Sequence, residues 1–243
     1  RLIVNANADN LVTTLDYQVD VNAAATAANT IAAGDVNYTI TGGSGADTIV
    51  SGGGADTIVD GAAADTITAG AGNDTINLST DSADDVIKFS DTNGTDTITG
   101  FDADEDTLSF AGVTANGTIA EVAVTNDTGT TLGEISLSGT NTTVYVFDTE
   151  ATEIGTNIAA AISDFTSMTV VAAFLNTADG ITPSDTEDKV DYFVINDGDT
   201  NNVYVYKFVD NGDGTTDVQA AELSLIATVA ADGAVGAGAV DIA

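Results

Sequence analysis

Residues 42–77 read GGSGADTIV-SGGGADTIV-DGAAADTIT-AGAGNDTIN, and this stretch decides the fold. One pattern of nine residues stands here four times in succession, with its aspartates at positions 47, 56, 65 and 74. The phase extends backward in degraded form through Tyr38-Thr39-Ile40-Thr41, and forward through Asp85, Asp96 and Asp106 at steps of 11, 11 and 10. A fixed period of this kind predicts a repeat architecture.

Each unit combines a glycine-rich loop with a strand of three residues. The loop needs glycine because so tight a reversal places several residues at positive φ. The central aliphatic residue of the strand, such as Ile49 or Ile58, is expected to point inward while its neighbours face outward. One unit buries about one side chain, so successive units must stack at a spacing of ~4.8 Å to build a ladder of isoleucines. Ala63 stands where neighbouring loops have glycine, which predicts a strained turn.

These residues match the pattern Gly-Gly-x-Gly-x-Asp-x-aliphatic-x, so residues 29–110 resemble the calcium-binding parallel β-roll of RTX proteins. The resemblance implies that two nonapeptides make one turn and that loops 18 residues apart stack on the same side. It also implies that each calcium ion lies between two such loops, held by both aspartates and by backbone carbonyl groups. The following segment, residues 98–110, is similar to the motif that closes such rolls.

Carried over to this chain, the resemblance implies two principal sites and two further ones. In the first site Asp47 pairs with Asp65, and the carbonyl groups come from Gly43, Gly45, Asp60 and Ala62. In the second site Asp56 pairs with Asp74, and the carbonyl groups come from Gly52, Gly54, Ala69 and Ala71. Further sites would pair Asp65 with Asp85 and Asp74 with Asp96.

Charge leads to the same expectation independently of any family. From Asp47 to Asp106 the chain has 14 acidic residues and one basic residue, Lys88. Aspartates stacked above one another repel unless a cation lies between them. The roll is therefore predicted to be loose without calcium and folded with it. Solvated acidic turns in an ordinary β-protein are the alternative, but turn acids alone do not maintain a nine-residue phase.

Composition excludes several classes of function. The 243 residues include 38 acidic and 4 basic side chains, giving a net charge of −34, and neither histidine nor cysteine is present. Nucleophile systems built on histidine or cysteine and the usual zinc sites are therefore excluded. So acidic a chain is not expected to bind nucleic acid or to insert into a membrane. No catalytic motif stands out, so we expect that the protein is not an enzyme.

The chain divides into three predicted parts: lead-in strands over residues 1–28, the β-roll over 29–110 and a β-rich region over 111–243. The fold class is mainly all-β, a parallel β-roll followed by a C-terminal antiparallel β region with one or two short helices around residues 152–176. Strands are predicted over residues 119–124, 134–137 and 143–147. Residues 190–195 and 203–208 predict a hairpin, and residues 210–214 favour an acidic turn over an EF-hand loop.

Two helices are suggested by apolar spacing between residues 154 and 175. Ile154, Ile158, Ile162 and Phe165 recur at helical intervals, which favours a core-facing helix over a partner-binding face. A second short helix is predicted at Val170, Val171, Phe174 and Leu175, with Ser167 as its cap.

Three functions remain open on this sequence. The first is a structural protein of the bacterial cell surface, an S-layer or extracellular filament subunit that self-associates. The second is the C-terminal secretion and folding module of a larger RTX enzyme or toxin, and the third is an adhesin tip or stalk. The apolar patterning of residues 111–243 without an active-site constellation favours the first. The resemblance to RTX proteins implies type I secretion, an extracellular location, several bound calcium ions and folding on meeting calcium outside the cell.

Overall fold

The computed structural model describes residues 2–5, 12–14, 19–22, 30–32, 35–89, 94–110, 118–121, 135–136, 143–147, 162–177, 181–182, 190–197, 201–212 and 217–242. Within these ranges the chain forms an eleven-stranded sheet, a seven-stranded sheet and a pair of short strands.

The eleven-stranded sheet takes every second strand of the roll and then continues into the C-terminal region. In spatial order it consists of β1 (Leu2–Asn5), β3 (Val19–Asn22), β5 (Thr39–Thr41), β7 (Thr57–Val59), β9 (Thr75–Asn77), β11 (Asp96–Phe101), β19 (Leu223–Ala231), β18 (Asn202–Val209), β17 (Val190–Asn196), β15 (Thr143–Phe147) and β13 (Thr118–Glu121).

The seven-stranded sheet takes the intervening strands. In spatial order it consists of β2 (Val12–Thr14), β4 (Thr30–Ala32), β6 (Thr48–Val50), β8 (Thr66–Thr68), β10 (Val86–Phe89), β12 (Thr107–Phe110) and β20 (Val240–Ile242). The short pair is β14 (Ile135–Ser136) with β16 (Ile181–Thr182), and the helical elements are α1 (Met168–Thr177) and a 3₁₀ turn at Ala237–Ala239.

The pairing register confirms the parallel β-roll. Thr39 pairs with Thr57 in one sheet and Thr48 pairs with Thr66 in the other, a step of 18 residues in each case. Successive strands thus alternate between the sheets, and two nonapeptides make one turn. Where the sequence has longer steps, Thr66 pairs with Val86, and the extra residues are taken up by the loops while the strands stay parallel and in phase.

The isoleucine ladder lies in the narrow space between the two sheets. The central aliphatic residues of β5 to β12 are all at most 1% exposed, whereas Thr48, Thr57 and Thr75 beside them are exposed. Each fully buried aliphatic side chain contributes roughly 1.5–3 kcal/mol through the hydrophobic effect. The predicted core is therefore confirmed for these residues: Ile40, Ile49, Ile58, Ile67, Ile76, Ile87, Ile98 and Leu108.

The loop at residues 60–65 contains the predicted backbone strain. Ala63 has a φ of 71°, in the left-handed region that a side chain with a Cβ occupies at a cost of about 1–2 kcal/mol. Most other described residues with positive φ are glycines.

Replacing Ala63 with glycine is expected to stabilise the protein slightly. The relief of left-handed strain exceeds the added flexibility of the unfolded chain, so Ala63→Gly should raise the free energy of unfolding by about 0.5–1 kcal/mol. Thermal unfolding in saturating calcium measures this. Ala64→Gly in the same loop is the control, since its φ is not positive, and an equal or larger gain there would contradict the explanation.

The C-terminal region is antiparallel only in part. The predicted hairpin is confirmed, with Val190 opposite Val209 and Asn196 opposite Val203, and β19 runs antiparallel to β18. However, β13, β15 and β17 pair in parallel, and β19 and β20 pair in parallel with β11 and β12. Both sheets of the roll thus continue into the C-terminal region, and the division into three domains stays a prediction.

Of the two helices suggested by apolar spacing, the second is confirmed as α1. Its first turn begins at the Ser167 carbonyl group, which accepts the N–H groups of Val170 and Val171 at 3.0 Å; capping by the Ser167 side chain stays a prediction. Ile154 and Ile158 lie outside the described residues. Ile162 and Phe165 lie before α1 in a bend and a turn, not in a helix.

A second apolar core lies on the opposite face of the C-terminal strands. Phe193 and Phe208 of the sheet are fully buried there against Val171 and Leu175 of α1. Ile162 and Phe165 also contribute to this core, so their predicted inward orientation is confirmed although the helix is not. In the described part of the chain, no helix is long and apolar enough to cross a membrane.

The loop after β18 is an acidic turn, as the sequence favours. The N–H group of Gly212 donates to Oδ1 of Asp210 at 2.7 Å, a local bond typical of aspartate in turns.

Candidate metal centre

The aspartates that end each loop stack in two columns, one along each side of the roll. In one column the N–H group of Asp56 donates to Oδ1 of Asp74 at 2.7 Å, and that of Asp74 donates to Asp96 at 3.0 Å. In the other column the N–H groups of Asp47, Asp65 and Asp85 donate to Oδ1 of the aspartate one turn ahead, at 2.5, 2.8 and 3.0 Å.

All four aspartate pairs expected from the sequence are thus brought together, and a fifth, Asp85 with Asp106, is added. The insertions before Asp85 and Asp96 do not interrupt the columns. One column begins at Tyr38, which stands where later loops have aspartate and whose N–H group donates to Asp56 at 2.6 Å.

The stacked carboxylates are buried, and some of their oxygens have no hydrogen-bond donor. Asp65 and Asp74 are each 1% exposed. Oδ2 of each is buried and accepts no hydrogen bond from any residue that the structure describes. Burying an unsatisfied carboxylate oxygen is costly, so these atoms are available and favourable ligands for a cation.

Burial also raises the pKa values of these aspartates. Loss of solvation is the main cause; neighbouring carboxylates add to it, and the N–H bonds from the preceding turn oppose it. The pKa of Asp74 rises to about 6, that of Asp65 and of Asp96 to about 7, and that of Asp85 to about 8, where the carboxylates of Asp60 and Asp106 contribute. The fold therefore favours protonated carboxylates when no cation neutralises them.

Without calcium, the protein is expected to be more stable at pH 5 than at pH 8. Because the pKa values of Asp65, Asp74, Asp85 and Asp96 are raised in the fold, their contribution to stability is fully present below the unfolded value near 3.8 and is lost as pH rises through about 6 to 8. The thermal midpoint in a chelator should fall by about 5 °C or more between pH 5 and pH 8.

With saturating calcium the direction should reverse, since the ion binds ionised carboxylates and competes with protons. A midpoint that rises with pH in the chelator would contradict the stacked, buried arrangement of these groups.

The carbonyl groups predicted as ligands lie between successive loops, where several already accept hydrogen bonds. The carbonyl of Gly43 accepts the N–H group of Ala62 at 2.8 Å, and that of Gly52 accepts the N–H group of Ala71 at 2.7 Å. The carbonyl of Ala69 accepts the Ser51 hydroxyl. A carbonyl oxygen has two lone pairs, so these bonds leave capacity for a cation.

The remaining predicted carbonyl donors have the same placement between loops. The carbonyl oxygens of Asp60 and Gly54 lie against the Cα atoms of Gly42 and Gly72, where a Cβ would approach to 1.9 and 1.7 Å. Gly45 is buried in its loop. Whether these groups ligate an ion stays a prediction.

A family model described as the RTX calcium-binding nonapeptide repeat, in four copies, matches residues 26–58, 41–76 and 50–87. Residues 26–87 are RTX calcium-binding repeats. No curated protein and no solved structure matched the chain. The RTX repeats bind calcium, and proteins that carry them are typically secreted, so the β-roll and its two aspartate columns form the calcium-binding part of this protein.

The residues present in the RTX repeats fit calcium. The columns offer carboxylate and carbonyl oxygens, the hard ligands that Ca²⁺ takes in numbers of six to eight. The buried, unsatisfied Oδ2 atoms of Asp65 and Asp74 add the observation that a positive charge is favourable at this place.

Sequence reasoning missed two contributors to the RTX columns. Asp106 was recognised as part of the phase but not as a candidate ligand, although its distance of 21 residues from Asp85 fits the column. Asp60 was expected to contribute its carbonyl group, whereas its carboxylate lies with those of Asp65 and Asp85, all three within 4.8 Å of one another. The signal for Asp60 was an acid at a loop position where neighbouring loops have Gly42, Ser51 and Ala69.

Proposed function

We propose that this chain is a calcium-dependent structural protein of the bacterial cell surface, an S-layer or extracellular filament subunit that folds and assembles on binding calcium after export. The observation that carries the proposal is the pair of buried aspartate columns in a chain of net charge −34. A structure with this much stacked negative charge is favourable only where cations are plentiful.

In this proposal calcium ions lie between successive loops on each side of the roll. Asp47 with Asp65 and Asp56 with Asp74 hold the first two ions, together with carbonyl groups of the loops. Asp65 with Asp85 and Asp74 with Asp96 hold further ions. The hydrogen bonds that already join each pair support these assignments, because they bring both carboxylates to one gap before any ion is considered.

The difference in calcium across the cell envelope would then control folding. Inside the cell, low free calcium leaves the acidic chain expanded and able to pass through a type I exporter. Outside, calcium orders the roll and neutralises surface charge, so that subunits can approach one another.

The proposed self-association is supported by the layout of the sheets. Both run the length of the roll, with β1 and β2 as terminal strands at one end and β13 and β20 at the other. Terminal strands offer backbone N–H and C=O groups to a further strand. Stacked repeats also extend most readily along their own axis.

A calcium titration that follows circular dichroism and particle size together tests the proposal. A cooperative gain of β-signal together with growth into large ordered particles is the expected result, with magnesium as the control ion. Folding without growth beyond a monomer would exclude the structural array while leaving calcium binding intact. No response to calcium would overturn the proposal as a whole.

A C-terminal secretion and folding module of a larger RTX protein is the second candidate. It is favoured by β20, which pairs with β12 as the last strand of the seven-stranded sheet, so that residues near the end of this chain complete the roll. This candidate predicts calcium-dependent folding to a monomer, and fusion of the chain to a foreign domain should then confer calcium-dependent export through a type I system.

A further inference from the structure

Asp60 provides a carboxylate that the repeat pattern does not require. Its side chain is 1% exposed, and one carboxylate oxygen from each of Asp60, Asp65 and Asp85 lies within 4.8 Å of the other two. Three buried carboxylates therefore meet between the loops that end at Asp65 and Asp85. The repeat pattern supplies two aspartates to such a gap.

The Asp60 carboxylate is held in place by donors from two loops. Its Oδ1 accepts the N–H group of Gly61 at 2.6 Å and both the N–H and hydroxyl groups of Ser79 at 3.0 Å. These bonds fix the orientation of the side chain at low entropic cost. A rigid carboxylate is a better ligand than a mobile one because less ordering is required on binding.

A second observation at the same place points to a cation. Oδ1 of Asp65 accepts the N–H group of Asp47 at 2.5 Å, but the buried Oδ2 of Asp65 accepts no hydrogen bond within the described residues. Hydrogen-bond donors thus satisfy Asp60, while an orphaned carboxylate oxygen remains beside two other acids. A bound cation would satisfy that oxygen and offset the repulsion of all three groups.

A neighbouring cavity provides access to this place. It has a volume of about 320 Å³, and its lining includes Ser79 and Asp106. Ser79 is bonded to Asp60, and Asp106 accepts the N–H group of Asp85. Asp81 and Asp102 also line the cavity, so its negative potential would concentrate cations next to the three carboxylates.

We propose that Asp60, Asp65 and Asp85 form a three-carboxylate calcium site that fills before the other sites of the roll. The inference rests on the proposed calcium-dependent function and adds an order of filling to it. Calcium affinity rises with the number of charged ligands and with the rigidity of the site. Gaps with two carboxylates therefore fill at higher calcium concentration, and the roll orders outward from residues 60–85.

Asp60→Asn tests this inference directly. Asparagine keeps an oxygen that can accept the bonds from Gly61 and Ser79 but removes the charge. In a titration with calcium against a chromophoric chelator, the tightest class of sites should weaken ~10-fold or more, a factor set by one lost charged ligand. The weaker classes should change little, and circular dichroism at saturating calcium should show a folded protein.

Two control variants separate the local effect from general causes. Asp217→Asn removes one charge at an exposed position and should leave the tightest class unchanged. Ser79→Ala removes one hydrogen bond to Asp60 while keeping all three carboxylates, and it should weaken the class much less than Asp60→Asn does. Equal effects of Asp60→Asn and Ser79→Ala would assign Asp60 a purely structural role and overturn the inference.

A gain-of-function variant decides the matter if Asp60→Asn does not fold. Ala69 has the same position relative to Asp74 and Asp96 as Asp60 has to Asp65 and Asp85. Ala69→Asp should therefore add a second tight calcium site. Calcium binding by the natural chain with no effect of either variant would overturn this inference alone, whereas no calcium binding at all would overturn the proposed function as well.

Discussion

Removal of calcium is expected to unfold the roll and to lower the thermal midpoint by ~10 °C or more. Each independent site contributes roughly 2.7 kcal/mol when calcium is at 100 times its dissociation constant, and five aspartate pairs stack among the described residues. The loss of a few such contributions exceeds the stability of an average domain. Circular dichroism during heating, with calcium and then with excess chelator, measures the difference.

Magnesium at equal concentration is the control, because it demands octahedral geometry and sheds its water reluctantly. Magnesium should restore little of the lost midpoint. A protein whose midpoint is the same in calcium and in chelator would show that the aspartate columns fold without ions.

Substitution of Gly72 is expected to have the second-largest effect. Gly72 has a φ of 126°, and a Cβ at this position would lie 1.7 Å from the carbonyl oxygen of Gly54 in the preceding turn. The backbone cannot yield locally because Gly94 lies equally close above Gly72, with a Cβ approach of 1.8 Å to the Gly72 carbonyl. Gly72→Ala should therefore reduce the free energy of unfolding by about 3–5 kcal/mol.

The matched control is Gly238→Ala, since nothing lies within 4 Å of a Cβ built on Gly238. Its effect should stay within about 0.5 kcal/mol. Both variants are measured by denaturant unfolding at saturating calcium, so that metal loading is the same. A Gly72→Ala protein as stable as the Gly238→Ala protein would mean that the loops do not stack as closely as described.

The roll could be predicted from the sequence because its determinants are local and repeat. Ile49, Ile58 and the glycines around them recur every nine residues, and a nine-residue phase with one inward residue per strand leaves few alternatives to a stacked roll. The aspartate pairs follow from the same period. Ala63 stood out as a strained position because its neighbours at equivalent positions are glycines.

The remaining features depend on contacts that the period does not encode. Asp60 meets Asp85 across one turn of the roll, and that approach becomes visible only when the longer loop before Asp85 is placed in three dimensions. The parallel pairing of β13, β15 and β17 was missed because alternating apolar residues are compatible with either strand direction. The pairing of β19 and β20 with the roll joins residues more than 100 positions apart.

The stacking of aspartates makes neighbouring sites interdependent. Asp65 belongs to the gap below it, with Asp47, and to the gap above it, with Asp85, and Asp74 is shared in the same way between Asp56 and Asp96. An ion in one gap therefore fixes a ligand of the next, so that each column behaves as a one-dimensional lattice with nearest-neighbour coupling. The binding isotherm of such a lattice is steeper than that of isolated sites, and the protein responds to calcium over a narrow interval of concentration.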